Sequence, residues 1–252
     1  MIRRREFIAG LGSAAAWPLV ARAQQPDRVR RIGALMTFNE NDPEGKLRYS
    51  AFTQALADLG WTDGRNVRMD LRWAGSDSNR IRALAQELVG LQPDVILTNA
   101  TPATAAVQRE TTTIPIVFAS VADPVASSLV TRLDRPSGNV TGFSILETSL
   151  ASKWLELLSE IAPGLKRAAM MFNPDTFAAS IWMPSLETAA QSLKVELISK
   201  SVRSDVEIER AIRDGREPGG GLVVMPDIFT VVHRVDHIGG GPKQRTGGLY
   251  AV

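Results

Sequence analysis

The sequence predicts an α/β fold built on parallel sheets with helices on both faces. Three observations predict it. Short apolar runs rich in β-formers alternate with segments whose apolar residues recur at helical spacing. The strand-like runs are short and apolar, and are read as strands buried on both sides. The alternation also occurs twice, on either side of Gly138-Asn139-Val140-Thr141-Gly142, which reads as a connector between two halves. The chain has 252 residues, 44% of them hydrophobic, enough for one or two domains with real cores.

The first segment is not part of that alternation. Arg3-Arg4-Arg5-Glu6-Phe7-Ile8 fits the twin-arginine pattern, Ala9 to Val20 is a short apolar run, and Ala21-Arg22-Ala23 is an A-x-A cleavage site. Residues 1–23 are therefore expected to be an export signal read by the twin-arginine translocase, with Gln24 as the mature N-terminus. The apolar run is about 12 residues, or roughly 18 Å as helix, against a bilayer core of roughly 30 Å. Two other readings were weighed. A retained anchor needs a longer span, and the G-x-G-x-x-A match at Gly10-Leu11-Gly12-Ser13-Ala14-Ala15 lacks the strand that a dinucleotide site needs before it. The formal charge of +2 belongs to the signal. Beyond residue 23 there are 25 basic and 26 acidic residues, so no general attraction for nucleic acid or anionic membrane is expected. The chain has no cysteine, which excludes disulfides, thiolate metal sites, a cysteine nucleophile and a lipid anchor on cysteine.

The first half (residues 24–141) carries strands at Arg31–Phe38, Val67–Trp73, Val95–Asn99 and Ile114–Val121. Between them, Leu47, Ala51, Phe52, Ala55, Leu56 and Leu59 form one helical stripe, closed by Gly60. Ile81, Leu84, Ala85, Leu88 and Leu91 form a second. The second half (residues 142–235) opens with a helix whose apolar face is Ala151, Trp154, Leu155, Leu158 and Ile161. It continues with strand Arg167–Phe172, helix Ala178–Leu193, strand Val195–Ser201, helix Asp205–Asp214 and strand Gly221–Met225. The stripes are read as core. Regular patterning then stops, and residues 236–252 read as an irregular tail, either a natural flexible terminus or the product of a frameshift or early stop.

Open parallel sheets bind ligands beyond the carboxyl ends of their strands. At those ends one device recurs. Asn99-Ala100-Thr101-Pro102 reads as a helix start with Thr101 as N-cap, and Ser120-Val121-Ala122-Asp123-Pro124 as another with Asp123 as cap. Asp42-Pro43-Glu44, Asn173-Pro174-Asp175-Thr176 and Pro226-Asp227 repeat the pattern. Such junctions present backbone N–H groups that suit a carboxylate, while Asp123, Asp175 or Asp227 would accept from an ammonium group. Together they suit a zwitterion such as an amino acid, although each is equally readable as a helix cap alone. No nucleophile elbow, phosphate loop or metalloprotease motif occurs, no cofactor is implied, and an enzyme is not expected. His233 and His237 have i, i+4 spacing but no evident third ligand.

Several segments now carry a resemblance. Arg31-Ile32-Gly33-Ala34-Leu35-Met36, Ala51-Phe52-Thr53-Gln54-Ala55-Leu56-Ala57-Asp58-Leu59-Gly60-Trp61, Gly64-Arg65-Asn66-Val67 and Pro93-Asp94-Val95-Ile96-Leu97 resemble a family of ABC-transporter substrate-binding proteins, tryptophan- or tyrosine-binding-like. So do Ile114-Pro115-Ile116-Val117-Phe118, Pro136-Ser137-Gly138-Asn139-Val140-Thr141-Gly142-Phe143, Lys153-Trp154-Leu155-Glu156-Leu157-Leu158 and Phe172-Asn173-Pro174-Asp175. The resemblance implies a type I periplasmic binding fold: two Rossmann-like lobes with parallel sheets and a small solute in the cleft between them. It implies ligand contacts at Thr37, Phe38, Asn99, Ala100, Thr101, Ser120 and Asp123 in the first lobe, and at Asn173, Asp175 and Asp227 in the second, with Phe38 able to stack on an aromatic solute. It also implies a periplasmic protein that delivers its solute to an ABC transporter permease. A ligand-sensing domain of a signalling or regulatory system shares this fold, but no DNA-binding or signalling module accompanies it here. Family members run longer, so the second lobe is expected to be incomplete and binding weak or absent, because closure needs both lobes.

Overall fold

The computed structural model describes residues 28–136, 138–176, 179–233 and 249–251. The expected export signal, and the tail apart from Leu249–Ala251, lie outside them. In chain order the elements are β1 (Arg30–Met36), α1 (Pro43–Asp58), β2 (Val67–Trp73), α2 (Ser78–Gly90), β3 (Val95–Asn99), α3 (Ala100–Glu110), β4 (Ile116–Ala122) and β5 (Val140–Leu146). These are followed by α4 (Leu150–Ile161), β6 (Arg167–Phe172), α5 (Ala179–Leu193), β7 (Glu196–Ser201), α6 (Asp205–Gly215), β8 (Gly220–Val224), α7 (Ile228–Val232) and β9 (Leu249–Ala251).

The strands make two sheets. The first has the order β2-β1-β3-β4-β5, all parallel; the second has β7-β6-β8 parallel, with β9 antiparallel at its edge. Two corrections to the sequence reading follow. The connector at 138–142 is the start of β5, which pairs with β4 and belongs to the first sheet, so the division at 141/142 falls inside a strand. Within the region read as irregular tail, Leu249–Ala251 pairs with the open edge of β8. Both segments lie at sheet edges, where pairing is set by tertiary neighbours rather than by a periodic pattern.

Each lobe has its own core. In the first, α2 and α3 pack Ile81, Leu88 and Val107 onto Leu35, Ile96, Ile116 and Phe118. In the second, α4 and α5 cover one sheet face with Leu155, Leu158, Trp182 and Leu186 over Met170, while α6 brings Ile208 and Ala211 to Ala169, Met171 and Leu222 on the other. Trp154 and Trp182 stack with ring centroids 5.6 Å apart, joining α4 to α5.

The remaining face of the first sheet differs. There Met36 and Phe38 meet Ile228 of α7, with Tyr49, Leu71 and Trp73 alongside. The expectation that the α1 stripe is core does not hold. Leu47 is 55% and Leu59 76% exposed, and Ala51 and Ala55 are exposed too. Among the described residues α1 is the only first-lobe helix against this face, so no neighbouring helix covers its flank. Phe143 on the edge strand β5 is likewise 75% exposed.

What seats α1 is close approach at its N-terminal end. Asp42 caps it by accepting from the Glu44 and Gly45 N–H groups, with Pro43 in the first turn, as the sequence predicts. Gly45 is buried, and a Cβ there would lie 2.6 Å from Phe38 Cβ and 2.8 Å from Phe38 Cγ. At the opposite end of the sheet, Arg31 forks onto the Asp70 carboxylate through Nε and Nη2 and donates from Nη1 to the Leu91 carbonyl, tying β1, β2 and the end of α2 together.

The contact at Gly45 gives a test. Gly45→Val should lower stability by about 1–3 kcal/mol through overpacking against Phe38. Gly90→Ala, where nothing lies within 4 Å of an added Cβ, should be neutral or stabilising by up to about 1 kcal/mol. Thermal denaturation of both variants checks this; equal effects would contradict the seating of α1 on Phe38.

Candidate functional site

Parallel strands end on the same side, so the loops after β3 and β4 face those after β6 and β8. Between them lies a narrow cleft, partly open to solvent, whose cavity volume is about 50 Å³, well below the roughly 300–1,000 Å³ of ordinary small-molecule sites. Its first-lobe wall includes Ala100, Thr101, Ser120 and Ser127. Its second-lobe wall includes Thr176, Ile181, Trp182 and Asp227, with Ile228 beside them.

The backbone around the cleft is unusual. Ala100 (φ 67°), Ser120 (φ 58°) and Asp123 (φ 41°) all adopt the left-handed region without being glycine. Each such residue costs of order 1 kcal/mol or more, and such costs concentrate where a particular local shape is required. Here they turn the chain at the carboxyl ends of β3 and β4.

The junctions after the strands serve different purposes. Thr101 does not cap α3: the helix starts at Ala100, and the cap position is Asn99, whose side chain makes no capping bond. That side chain is engaged elsewhere, since Asn99 Oδ1 accepts from Thr37 Oγ1 at 2.9 Å, with both residues buried. Asp123 caps no helix either. Its Oδ1 accepts from Ala126 N–H at 2.9 Å, and Oδ2 accepts from the Thr148 N–H and hydroxyl at 3.0 and 2.8 Å. It thus ties the loop after β4 to the chain entering α4. Asn173 Oδ1 accepts from Asp175 N–H, closing a turn before α5 rather than a helix start.

Asp227 does cap a helix. Only 3% exposed, its Oδ1 accepts from the Phe229 and Thr230 N–H groups and from Thr176 Oγ1, and its Oδ2 accepts from Asn173 N–H. Burial pushes this carboxyl above its ordinary pKa, and the four hydrogen bonds oppose that without cancelling it. Asp175 is exposed, pairs with Arg203 at 3.0 Å, and accepts from Ser78 of the first lobe at its carbonyl.

Of the ten residues expected from the sequence, Ala100, Thr101, Ser120 and Asp227 lie on the cleft wall. Thr37, Phe38, Asn99 and Asn173 are buried behind it. Asp123 sits at the junction of the lobes and Asp175 at the rim. Phe38 is 0% exposed, with the Arg48 guanidinium 5.3 Å from its ring centroid. Arg48 also donates from Nη1 to Ser120 Oγ at 3.1 Å and from Nε to Glu44 at 3.0 Å. Trp182, Ile181, Thr176 and Ser127 also line the cleft and are not legible in the sequence as site residues; Arg48, which reaches Ser120 from behind, is not legible there either. Trp182 reads as core from its helical spacing, and Arg48 reads as half of an i, i+4 pair with Glu44. His233 is paired with Asp205 and stacked on Phe229, and His237 lies outside the described residues. Among the described residues, no cluster of His, Asp or Glu could hold a metal, and no helix is long and apolar enough to cross a membrane.

Asp123 is the ionisable group of this junction whose titration is simplest to follow. Burial pushes its carboxyl up, but the hydrogen bonds from Ala126 and Thr148 outweigh that and hold it below its ordinary value. The stability this supplies is complete above the unfolded-state carboxylate pKa of about 4 and is lost as pH falls through the lower folded-state value. Asp123→Asn should cost about 1 kcal/mol at neutral pH, and the gap to wild type should narrow below pH about 4. Chemical denaturation across pH checks this; a gap constant with pH would contradict it.

A sequence model of ABC transporter substrate binding proteins matches residues 36–237. A tyrosine-binding protein of Clostridioides difficile is 32% identical over 161 residues, 64% of this chain and 46% of that protein. A conserved domain protein from Vibrio cholerae superposes with a TM-score of 0.66 at 28% identity, covering 74% of this chain and 62% of that one. The ABC domain of a Streptococcus pneumonia protein, solved in complex with L-Trp, gives 0.69 at 23% identity, covering 81% and 68%. The chain thus spans less than two thirds of the first two relatives. The fold is that of the type I periplasmic binding proteins, with a first sheet of five strands and a smaller second one. With the family match running over most of its length, the chain belongs to the ABC transporter substrate binding proteins, a family of solute-binding proteins.

Proposed function

We propose that this chain is the solute-binding component of an ABC importer and takes a small aromatic, amino-acid-like solute in the cleft between its lobes. The observation that carries the reading is the cluster of left-handed, non-glycine residues at the cleft, Ala100, Ser120 and Asp123. Ala100 and Ser120 lie on the cleft wall, and backbone strain of this kind concentrates where a particular local shape serves a site. The cleft wall supports an aromatic solute: Trp182, Ile181 and Ile228 supply apolar surface, and Thr101, Ser120, Ser127 and Thr176 supply hydroxyls. The tyrosine-binding relative and the neighbour solved with L-Trp support the same chemical class.

In this reading residues 1–23 send the chain through the twin-arginine translocase to the periplasm, and the loaded protein docks on a membrane permease. Release and uptake require the lobes to part, so the contacts between them, Ile228 on Met36 and Phe38 and Ser78 on Asp175, break and reform in each cycle.

The test is thermal unfolding with and without L-tryptophan and L-tyrosine. A ligand at 100 times its dissociation constant stabilises the folded state by about 2.7 kcal/mol, a readily measured rise in midpoint. A clear shift with one aromatic amino acid, absent with small aliphatic ones, is the expected result. No shift with any amino acid at millimolar concentration would overturn the reading.

A further inference from the structure

Resting on that reading of the cleft, we propose that Arg48 anchors the carboxylate of the solute, so that the cleft selects aromatic acids over aromatic amines. The sequence offered Asp123, Asp175 and Asp227 as acceptors for a ligand ammonium group, but all three are engaged. Asp227 receives four hydrogen bonds from its own lobe. Asp123 receives three from Ala126 and Thr148. Asp175 is paired with Arg203. Charge recognition by Asp123 or Asp227 would require breaking bonds that hold the loops around the cleft, and Asp175 is not on the cleft wall.

Arg48 is arranged in the opposite way. Glu44 holds its Nε, and the buried Phe38 ring supports its flat face. Its Nη1 then donates to the hydroxyl of Ser120, a residue of the cleft wall, so the guanidinium lies directly behind that wall. Nη2 donates to none of the described residues, and the side chain is 40% exposed. A guanidinium fixed on two sides and open along its Nη edge is organised for a bidentate carboxylate. The Ser120 hydroxyl beside it can turn to donate to the same group. An exposed i, i+4 pair alone is worth little. The bond from Arg48 to Ser120, which joins α1 to the end of β4, is not needed for that pair, and it brings the charge to the cleft.

The test is isothermal titration of the full chain and its Arg48→Gln and Arg48→Lys variants. The probes are L-tryptophan, indole-3-propionate, which has the carboxylate alone, and tryptamine, which has the ammonium group alone. Wild type should bind the first two and bind tryptamine at least about 10-fold more weakly. Arg48→Gln should weaken L-tryptophan and indole-3-propionate by roughly 10- to 100-fold, the loss expected for a charged hydrogen-bonded contact, with no change for tryptamine. Arg48→Lys should fall between. An unchanged thermal midpoint shows that the variants are folded. If Arg48→Gln binds L-tryptophan as wild type does, or weakens all three probes alike, the assignment of Arg48 is wrong and the cleft reading stands. If wild type binds none of the three, both fall together.

Discussion

The junction between the lobes depends on one buried carboxylate. Asp227 gathers donors from three places in the second lobe: the Asn173 N–H after β6, the Thr176 hydroxyl before α5, and the first turn of α7. A buried carboxylate is costly unless its oxygens are satisfied. With both oxygens occupied, its position fixes where α7 begins. Ile228, the next residue, is thereby set against Met36 and Phe38 of the first lobe. Phe38 in turn supports Arg48 and excludes any side chain at Gly45. The second lobe therefore reaches the first through a chain of contacts that starts at a single cap.

The cleft has two kinds of wall as a result. The second-lobe wall is tied internally, through Asp227, to the strand ends behind it. The first-lobe wall is shaped by backbone: Ala100 and Ser120 hold left-handed turns, and Asn99, which would ordinarily cap α3, is drawn back by Thr37. The N-terminal turn of α3 thus reaches the cleft with no side chain bonded across it.

The runs Val67–Trp73 and Val95–Asn99 match strands residue for residue. The second opens with the apolar Val95-Ile96-Leu97 of a central parallel strand, and the first, at one edge of the sheet, alternates apolar and charged residues. The sequence was least informative at the other edge. The strand Val140–Leu146 carries exposed Thr141, Phe143 and Ile145, and its glycine-rich start looks like a connector. The α1 stripe was legible as a helix but not as an exposed one, since periodicity reports a helix and its apolar side, not whether anything covers that side. At the site, the Asp-Pro and Asn-Pro junctions marked the right end of each strand. Their chemistry was only partly legible: Asp42 and Asp227 cap helices as expected, while Asp123 and Asn173 close turns. Trp182, drawn in from a helix face, could be found only once the topology brought it to the cleft.

The central claim is that the strand ends of the two lobes form one solute site. Hydrogen exchange, followed by mass spectrometry with and without saturating L-tryptophan, tests it most directly. The account predicts slower exchange in the segments containing Ala100–Thr104, Ser120–Ser127 and Asp227–Val231 together, with little change in α6 or β7. Protection confined to one lobe, or spread evenly over the chain, would contradict it.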